Sequence, residues 1–273
     1  MPIFLTLIAL VSISFAQNKL INGLPVGDKF QGVGTFNQGC TITKVGPRHF
    51  ISAAHCVNKN LSSLTLNFKN YRGTVAVSSS HIHPTWIKDC SNFRCTGHEV
   101  GSERMTPGRS DVVFINVKEL TPAIPIIPIH FEELLLGTEV TMVGAGCTRS
   151  QEPGGPGKMR YASTLLIGHE HLKHEHSLYR DISEITSDSN WISFGIAQGN
   201  QHASLCPGDS GGPLLTQIDG EWKIVGIAAD YTFNGRYQDG APTMTNLHTR
   251  LDDRSHNDIG GWIRSVWANS VVR

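Results

Sequence analysis

The chain has 273 residues, of which 39% are hydrophobic, and its formal net charge is zero. This length is sufficient for one large β domain or two small ones. The balanced charge, without any basic run, argues against a nucleic-acid partner or a membrane surface. With 28 glycines and scattered prolines, the composition favours short strands joined by turns over long helices.

The amino-terminal segment is an apolar run, Ile3–Phe15, which overlaps the small-residue pattern Ser14-Phe15-Ala16. The run is too short to cross a bilayer, so it predicts a secretory signal peptide over Met1–Ala16. A buried first strand is the alternative, but no turn or polar alternation frames it. Secretion implies an oxidising compartment, in which the six cysteines are expected to pair; spacing alone leaves all fifteen connectivities open.

Two series of short β-type runs follow, and both are broken by Gly, Asn or Pro. They predict strands over Gly39–Lys44, His49–Ala53, Leu64–Phe68, Gly73–Val77, Val112–Val117, Glu139–Val143, Met159–Leu165, Trp191–Gly195, Gly212–Thr216 and Trp222–Ala228. Such spacing favours a β-barrel or sandwich, with Thr121–Pro128 as a connector between two halves. Apolar residues at helical spacing predict one helix over about 257–268.

The strongest motif is the sequence CPGDSGGP at 206–213. A serine hydroxyl becomes a good nucleophile only when a base takes its proton and donors stabilise the oxyanion. Glycines on both sides of Ser210 permit a tight turn that aims consecutive N–H groups at one point. An ordinary glycine-rich hairpin is the alternative, but the motif favours Ser210 as a nucleophile.

Two further motifs supply a base and an acid. His55 stands in SAAHC, and a histidine titrates near neutral pH, so it can accept and return a proton; a core histidine is the alternative. Asp111 opens the apolar strand DVVFI, and a carboxylate beside His55 would fix its tautomer; a solvated loop aspartate is the alternative. The chain order His55, Asp111, Ser210 matches one of the known triad orders.

Together these motifs resemble the trypsin/chymotrypsin family of secreted serine proteases, from Leu20 to the C-terminal helix. The resemblance implies an all-β fold of two six-stranded antiparallel barrels, over about 20–120 and about 121–255, with the site in the cleft between them. It also implies a serine endopeptidase that acts on proteins or peptides without a cofactor. The backbone N–H groups of Gly208 and Ser210 would then form the oxyanion hole.

The family is activated by cleavage after a basic residue, and Lys19-Leu20-Ile21-Asn22-Gly23 fits that pattern. Cleavage would expose the amine of Leu20, for which the family's buried partner corresponds to Asp209. The activation peptide would then be Gln17–Lys19. The resemblance therefore implies a zymogen.

The resemblance also implies how the cysteines pair in disulfides. Cys40 and Cys56 have the spacing of a family disulfide. No cysteine follows Cys206, so it is expected to pair upstream with Cys147, in a loop that lies beside the oxyanion turn in the family. Cys90 and Cys95 then remain for a small loop within the segment 90–110, whose polar character and length predict a functional or mobile connection.

The specificity pocket departs from the family pattern. The residue six before the nucleophile, at the base of the pocket, is Ser204 where trypsin-like members have Asp. Tyr231 at the mouth and Asn246 in the wall stand where glycines are usual, and both reduce the volume. We therefore expect a preference for small or uncharged residues rather than Lys or Arg.

Two neighbours of the pocket depart as well. Ala229 replaces a serine that usually helps to hold the catalytic Asp, so activity is expected to be reduced by the loss of a hydrogen bond worth about 1 kcal/mol. As an alternative, Asp230 would favour a basic substrate residue at a neighbouring subsite. If the enzyme does not cut after Lys, an upstream protease must activate it, and protein inhibitors are further expected partners.

Two features remain outside the family pattern. The run His169–His176 alternates histidines, which predicts a solvated surface, with zinc or copper binding as the alternative; no metal is assigned. Asn60-Leu61-Ser62 is a glycosylation sequon. Besides an active endopeptidase, the sequence leaves open a catalytically weak or inactive protease-like binding protein and a metal carrier.

Overall fold

The computed structural model describes residues 20, 23–37, 39–57, 60–86, 110–146, 159–168, 190–196, 203–236 and 242–271. These ranges contain, in chain order, β1 (Leu24–Pro25), β2 (Val33–Phe36), β3 (Cys40–Gly46), β4 (His49–Ser52), β5 (Ser63–Phe68), β6 (Tyr71–Ile82), β7 (Val113–Val117), β8 (Glu139–Gly144), β9 (Arg160–Ile167), β10 (Asn190–Ile196), β11 (Pro213–Ile218), β12 (Glu221–Arg236), β13 (Pro242–Arg250) and α1 (Ile259–Val271).

The first barrel is closed by antiparallel strands in the order β2-β3-β4-β7-β6-β5. Strand β5 shows how the sequence produces it, because Leu64, Leu66 and Phe68 are buried while the residues between them are exposed. This alternation follows from the two-residue period of a strand. The barrel interior is filled by a cluster of aliphatic and aromatic side chains that includes Phe36, Phe50, Val75, Val113 and Ile115.

The second barrel is a ring of six antiparallel strands, β8-β9-β10-β13-β12-β11, which closes through the pairing of β8 with β9. Strand β1 adds to the outside of this ring by pairing with β9. Strand β1 comes first in sequence, but it therefore belongs to the second barrel together with β8–β13. Leu20 is fully buried in the core of this barrel, with Met142, Leu205 and Leu214.

A shared apolar cluster joins the two barrels, with Ile51 and Phe114 from the first and Val143, Leu215 and Ile227 from the second. The connector between the barrels is fixed by a buried ammonium group. The Nζ of Lys44 donates hydrogen bonds to the carbonyls of Thr121 and Ile124, the latter at 2.8 Å. Because an unpaired buried charge is costly, these bonds hold the connector against β3.

Helix α1 returns the chain to the first barrel. Its first turn is capped by Asp258, whose Oδ1 accepts the N–H of Gly261 at 3.1 Å. The Oγ of Ser255 accepts the N–H of Ile259 at 2.9 Å. Trp267 packs on His49 of β4 and Phe114 of β7, with ring centroids 5.0 and 5.5 Å apart. Among the described ranges, no helix is long and apolar enough to cross a membrane.

The predicted fold class, two six-stranded antiparallel barrels with a C-terminal helix, is confirmed. The strands differ in length from the sequence pattern. Strands β6 and β12 run to 12 and 16 residues, well beyond the predicted Gly73–Val77 and Trp222–Ala228. Each continues because neighbouring strands extend its pairing on both sides of a register shift, which no local pattern reveals.

Candidate active site

His55 lies in a short 3₁₀ turn, Ala54–Cys56, which directly follows β4. A disulfide joins Cys56 to Cys40 at the start of β3, with their Cα atoms 6.1 Å apart. The predicted pairing of these two cysteines is confirmed. The disulfide fixes the turn to the barrel wall, so the imidazole has a defined position.

Asp111 lies two residues before β7, and it binds both ends of His55. Its Oδ1 accepts the backbone N–H of His55 at 2.9 Å, and its Oδ2 lies 2.6 Å from Nδ1. The carboxylate is an acceptor, so Nδ1 carries the proton and Nε2 is left as the basic nitrogen. The structure therefore brings together the predicted base and the predicted acid in the orientation that general-base catalysis needs.

The charge state of His55 depends on four influences. Burial lowers its pKa, but the charge of Asp111, the hydrogen bond that Nδ1 donates to that carboxylate and the charge of Asp230 raise it, and the net pKa is above the ordinary value of 6.5. The contribution of Asp230 is a feature that the sequence motifs did not reveal. A more basic imidazole takes a proton from a hydroxyl more readily.

Ser210 lies in a segment that we call the nucleophile turn, Cys206–Gly212. The turn needs glycines because Gly208 and Gly211 have φ angles of +99° and +80°. Both barrels hold it. Thr41 of β3 donates its N–H to the Ser210 carbonyl at 2.8 Å, and Gly211 donates to the carbonyl of Ala228 on β12 at 2.8 Å.

The nucleophile turn is also in direct contact with the turn that carries His55. The Sγ of Cys56, next to His55, lies 3.9 Å from the carbonyl oxygen of Ser210. Thr41, which binds Ser210, directly follows Cys40, and Cys40 is the disulfide partner of Cys56. Thr41 was missed in the sequence because it carries no chemistry of its own. Its hydroxyl also donates to the carbonyl of Gly208 at 2.9 Å.

Asp209, within the nucleophile turn, is fully buried. Its Oδ1 accepts the N–H of Gly146 at 2.7 Å, and its Oδ2 accepts the N–H of Cys206 at 3.0 Å. Burial raises its pKa to about 7, although both hydrogen bonds oppose the shift. Gly146 must lack a side chain, since a Cβ there would lie 2.6 Å from the carboxyl group.

The predicted pocket residues lie together on β12, β13 and the strand-like segment before the nucleophile turn; we call Ser204, Tyr231, Asn246 and His248 the pocket wall. Tyr231 and Asn246 are directly paired between β12 and β13. The amide of Asn246 accepts the N–H of Leu205 at 2.8 Å and donates to the carbonyl of Ala203 and the hydroxyl of Ser193, both at 3.3 Å.

Ser204 and His248 differ from Asn246 in their hydrogen bonding. The Oγ of Ser204 and both ring nitrogens of His248 are buried without a hydrogen bond among the described residues. Burial lowers the pKa of His248 to about 3, so the ring is neutral. His248 was not predicted as a site residue, although it stands two positions from Asn246 on the same face of β13.

Several predicted residues lie outside the described ranges, namely Lys19, Cys90, Cys95, Cys147 and the run 169–176. Cys206 is disulfide-bonded, and its predicted partner is among them. In the part of the chain that is described, the group of potential metal ligands within reach of one another is Cys40, His55 and Cys56. Both sulfurs of that group are already joined in a disulfide, so it does not fit a metal ion.

Comparison with known proteins agrees with this geometry. The family model described as Trypsin matches residues 23–246. Proproteinase E of Bos taurus is 22% identical over 74% of this chain and 76% of its own length, and the chymotrypsin-like elastase family member 3B of Macaca mulatta is 22% identical over 79% and 80%. Spermosin of Halocynthia roretzi is 38% identical, but over 34% of this chain and only 21% of its own length.

Among solved structures, the human heparin binding protein has a TM-score of 0.60 at 15% identity, and the match covers 91% of this chain and 97% of that one. At this identity the likeness concerns the fold alone. Trypsin-family proteases act on protein substrates. The family model covers most of the chain, including the motifs around His55, Asp111 and Ser210, and the chain therefore belongs to the trypsin family of serine proteases.

Proposed function

We propose that the protein is a serine endopeptidase with Ser210 as nucleophile, His55 as general base and Asp111 as the orienting acid. The observation that carries this proposal is the pairing of Asp111 with both the backbone and the Nδ1 of His55, beside the nucleophile turn. Such an arrangement leaves Nε2 free to take the proton of a hydroxyl.

In the proposed reaction, Ser210 Oγ attacks the scissile carbonyl while its proton passes to His55 Nε2. The N–H groups of Gly208 and Ser210 stabilise the oxyanion of the tetrahedral intermediate. The intermediate collapses to an acyl-enzyme, and the imidazolium gives its proton to the leaving amine. Water then attacks the acyl carbon, loses a proton to His55 and releases the acid as Ser210 recovers its proton.

We further propose that cleavage after Lys19 activates the protein. The state of Asp209 supports this, since its carboxyl group is fully buried, bonded to two backbone N–H groups, and has a pKa raised to about 7. A buried carboxyl of this kind is stabilised in its charged form by a nearby cation. The new amine of Leu20, whose side chain is already buried in the second barrel, would supply it.

Secretion and control by other proteins complete the proposal. The apolar segment Met1–Ala16 would direct the chain out of the cell and be removed. Because Ser204 supplies no carboxylate at the pocket base, cleavage after Lys19 would require another protease upstream. We expect small or uncharged residues before the scissile bond, and protein inhibitors as further partners.

A fluorophosphonate probe tests the activity. Protein cleaved after Lys19, with Leu20 established as its new terminus by N-terminal sequencing, is expected to incorporate one label on Ser210. The variant Ser210→Ala, cleaved in the same way, is the control and should take up none. Correctly processed protein that remains unlabelled would overturn the assignment as a peptidase.

A protease-like binding protein is the second candidate. It is favoured by the pocket wall, where Asn246 joins three neighbouring groups and Tyr231 stands opposite it. The fold itself does not decide, because a protein named for heparin binding shares it. The same labelling experiment separates the two candidates, since a binding protein would bind substrate-like peptides without reacting with the probe.

A further inference from the structure

Asp230 lies on β12 close to the nucleophile turn. Two positions earlier on this strand, Ala228 accepts the N–H of Gly211 and donates to the carbonyl of Gly212, both at 2.8 Å. The strand register shifts between Ala228 and Asp230, after which Asp230 pairs with Leu247. Shifts of this kind redirect side chains at the edges of sites. Asp230 therefore lies two residues along β12 from Ala228, which is bonded to the two residues that follow Ser210.

The carboxylate of Asp230 is half-buried and accepts a single hydrogen bond from the described residues. Its Oδ1 accepts the N–H of the next residue, Tyr231, at 2.7 Å. No salt bridge involves it among the described residues. A carboxylate has about four lone-pair positions for hydrogen bonds, and most of those of Asp230 have no donor in the described part of the chain. Such a group is not explained by a role in the packing of β12.

The charged groups that influence Asp230 belong to the candidate active site. Burial and the charge of Asp111 raise its pKa to about 6, and the hydrogen bond from Tyr231 and the charge of His55 oppose the shift. At neutral pH the carboxylate is mostly ionised. When His55 is neutral, ready to act as a base, the charges of Asp111 and Asp230 both act on an uncharged ring. Among the described residues, no salt bridge supplies Asp230 with a compensating cation.

We propose that Asp230 binds a cationic side chain of the substrate, Lys or Arg, at a subsite beside His55 and separate from the pocket wall. The inference rests on the proposed function and names its substrate class. The pocket wall does not offer this site, because Ser204 and His248 are neutral there and Asn246 is fully occupied by three neighbours. A half-buried, unpaired carboxylate attracts a cation more strongly than an exposed one.

The hydrolysis test uses a set of alanine-based peptides in which a single Lys, or norleucine as its uncharged counterpart, is moved through four positions before the scissile bond. Processed protein is expected to favour Lys over norleucine by roughly tenfold or more at one position other than the residue directly before that bond. Asp230→Asn should abolish this preference, so that the ratio of kcat/KM for each Lys peptide to kcat/KM for its norleucine counterpart falls to about one. Retention of the Lys preference in Asp230→Asn would overturn the proposal.

The matched control is Asp219→Asn. Asp219 lies exposed in the turn that joins β11 to β12, with a φ of +54° that asparagine tolerates well. The variant Asp219→Asn removes one negative charge from the hairpin of β11 and β12, as Asp230→Asn does, and its Lys preference should remain. Equal losses in both variants would indicate a general charge effect and contradict a subsite at Asp230.

A binding measurement separates this proposal from the proposed function. The same peptides, fluorescently labelled, are titrated into processed Ser210→Ala and into Ser210→Ala/Asp230→Asn. A Lys preference of roughly tenfold that disappears in the double variant supports the subsite, even if the wild-type protein proves unable to react with a fluorophosphonate. Equal binding of the Lys and norleucine peptides to Ser210→Ala overturns the subsite, whatever the wild-type activity is.

Discussion

The nucleophile turn and the pocket wall are adjacent in the second barrel, but their buried polar groups differ in how well they are bonded. Beside the nucleophile turn, both oxygens of Asp111 and both oxygens of Asp209 accept hydrogen bonds. In the pocket wall, the hydroxyl of Ser204 and both ring nitrogens of His248 have no partner among the described residues.

The difference separates the reaction from the choice of substrate. Groups that must hold a fixed orientation for catalysis are preorganised by bonds to the backbone, since misplacement costs rate. In the pocket wall, Ser204 and His248 are less constrained than Asn246, and a buried polar atom without a partner reduces stability by about 1–3 kcal/mol. Under the proposed function, the reaction depends on groups that the backbone holds, whereas the choice of substrate depends on a few side chains that differ from the family pattern.

The largest expected effect comes from Asp111→Asn. An amide can donate to Nδ1, which would place the proton on Nε2 and remove the base. We expect kcat of processed protein on an activated ester to fall by roughly 10⁴-fold. Circular dichroism should remain unchanged, and Asp219→Asn should retain wild-type kcat. A decrease of less than tenfold would show that Asp111 does not orient His55.

The next largest effect concerns Asp209 and the cleavage after Lys19. In the uncleaved chain the pKa of Asp209 is about 7, against an ordinary 3.8, so between these values the folded state keeps a proton that the unfolded state has lost. The free energy of unfolding therefore decreases as pH rises from about 4 to 7. Cleavage would supply a cation that stabilises the carboxylate, and this decrease should become smaller.

Thermal unfolding of the two forms between pH 4 and 7 measures this effect. We expect cleaved protein to be more stable at pH 7 by a few kcal/mol, on the basis of roughly 1.4 kcal/mol per pKa unit, and the difference to shrink toward pH 4. Asp209→Asn should make the difference in stability between the cleaved and uncleaved forms independent of pH. Parallel pH dependence in the cleaved and uncleaved wild-type forms would contradict a pair between Leu20 and Asp209.

A smaller effect is expected for Asn246→Ala in the pocket wall. The change leaves the buried N–H of Leu205 without its acceptor and should lower the free energy of unfolding by about 1–3 kcal/mol. It also enlarges the pocket, so a peptide-library profile should extend to larger residues before the scissile bond. Ser193→Ala is the control, because it removes one contact of Asn246 and leaves the amide in place. An unchanged profile would place Asn246 outside the pocket.

The sequence predicted the features that have a local signature. The alternation in β5 predicts a strand, and the glycines around Ser210 predict a tight turn, because both depend on neighbouring residues. The pairing of the two-residue strand β1 with β9 could not be predicted, since so short a strand has no periodicity. Nor could the contact of Thr41 with Ser210, which joins residues 169 positions apart and depends on how the barrels pack.

The smallest effect sharpens the comparison, because Asp230 lies at the boundary between the nucleophile turn and the pocket wall. Its charge raises the pKa of His55, so Asp230→Asn should lower that pKa. Since the neutral imidazole is the active form, the acid limb of kcat/KM against pH should move to lower pH, by a few tenths of a unit for one partly screened charge. Norleucine peptides are the suitable substrates, because they do not depend on the proposed cation subsite. Asp219→Asn should leave the limb in place, and a shift to higher pH in Asp230→Asn would mean that Asp230 does not act on His55 through its charge.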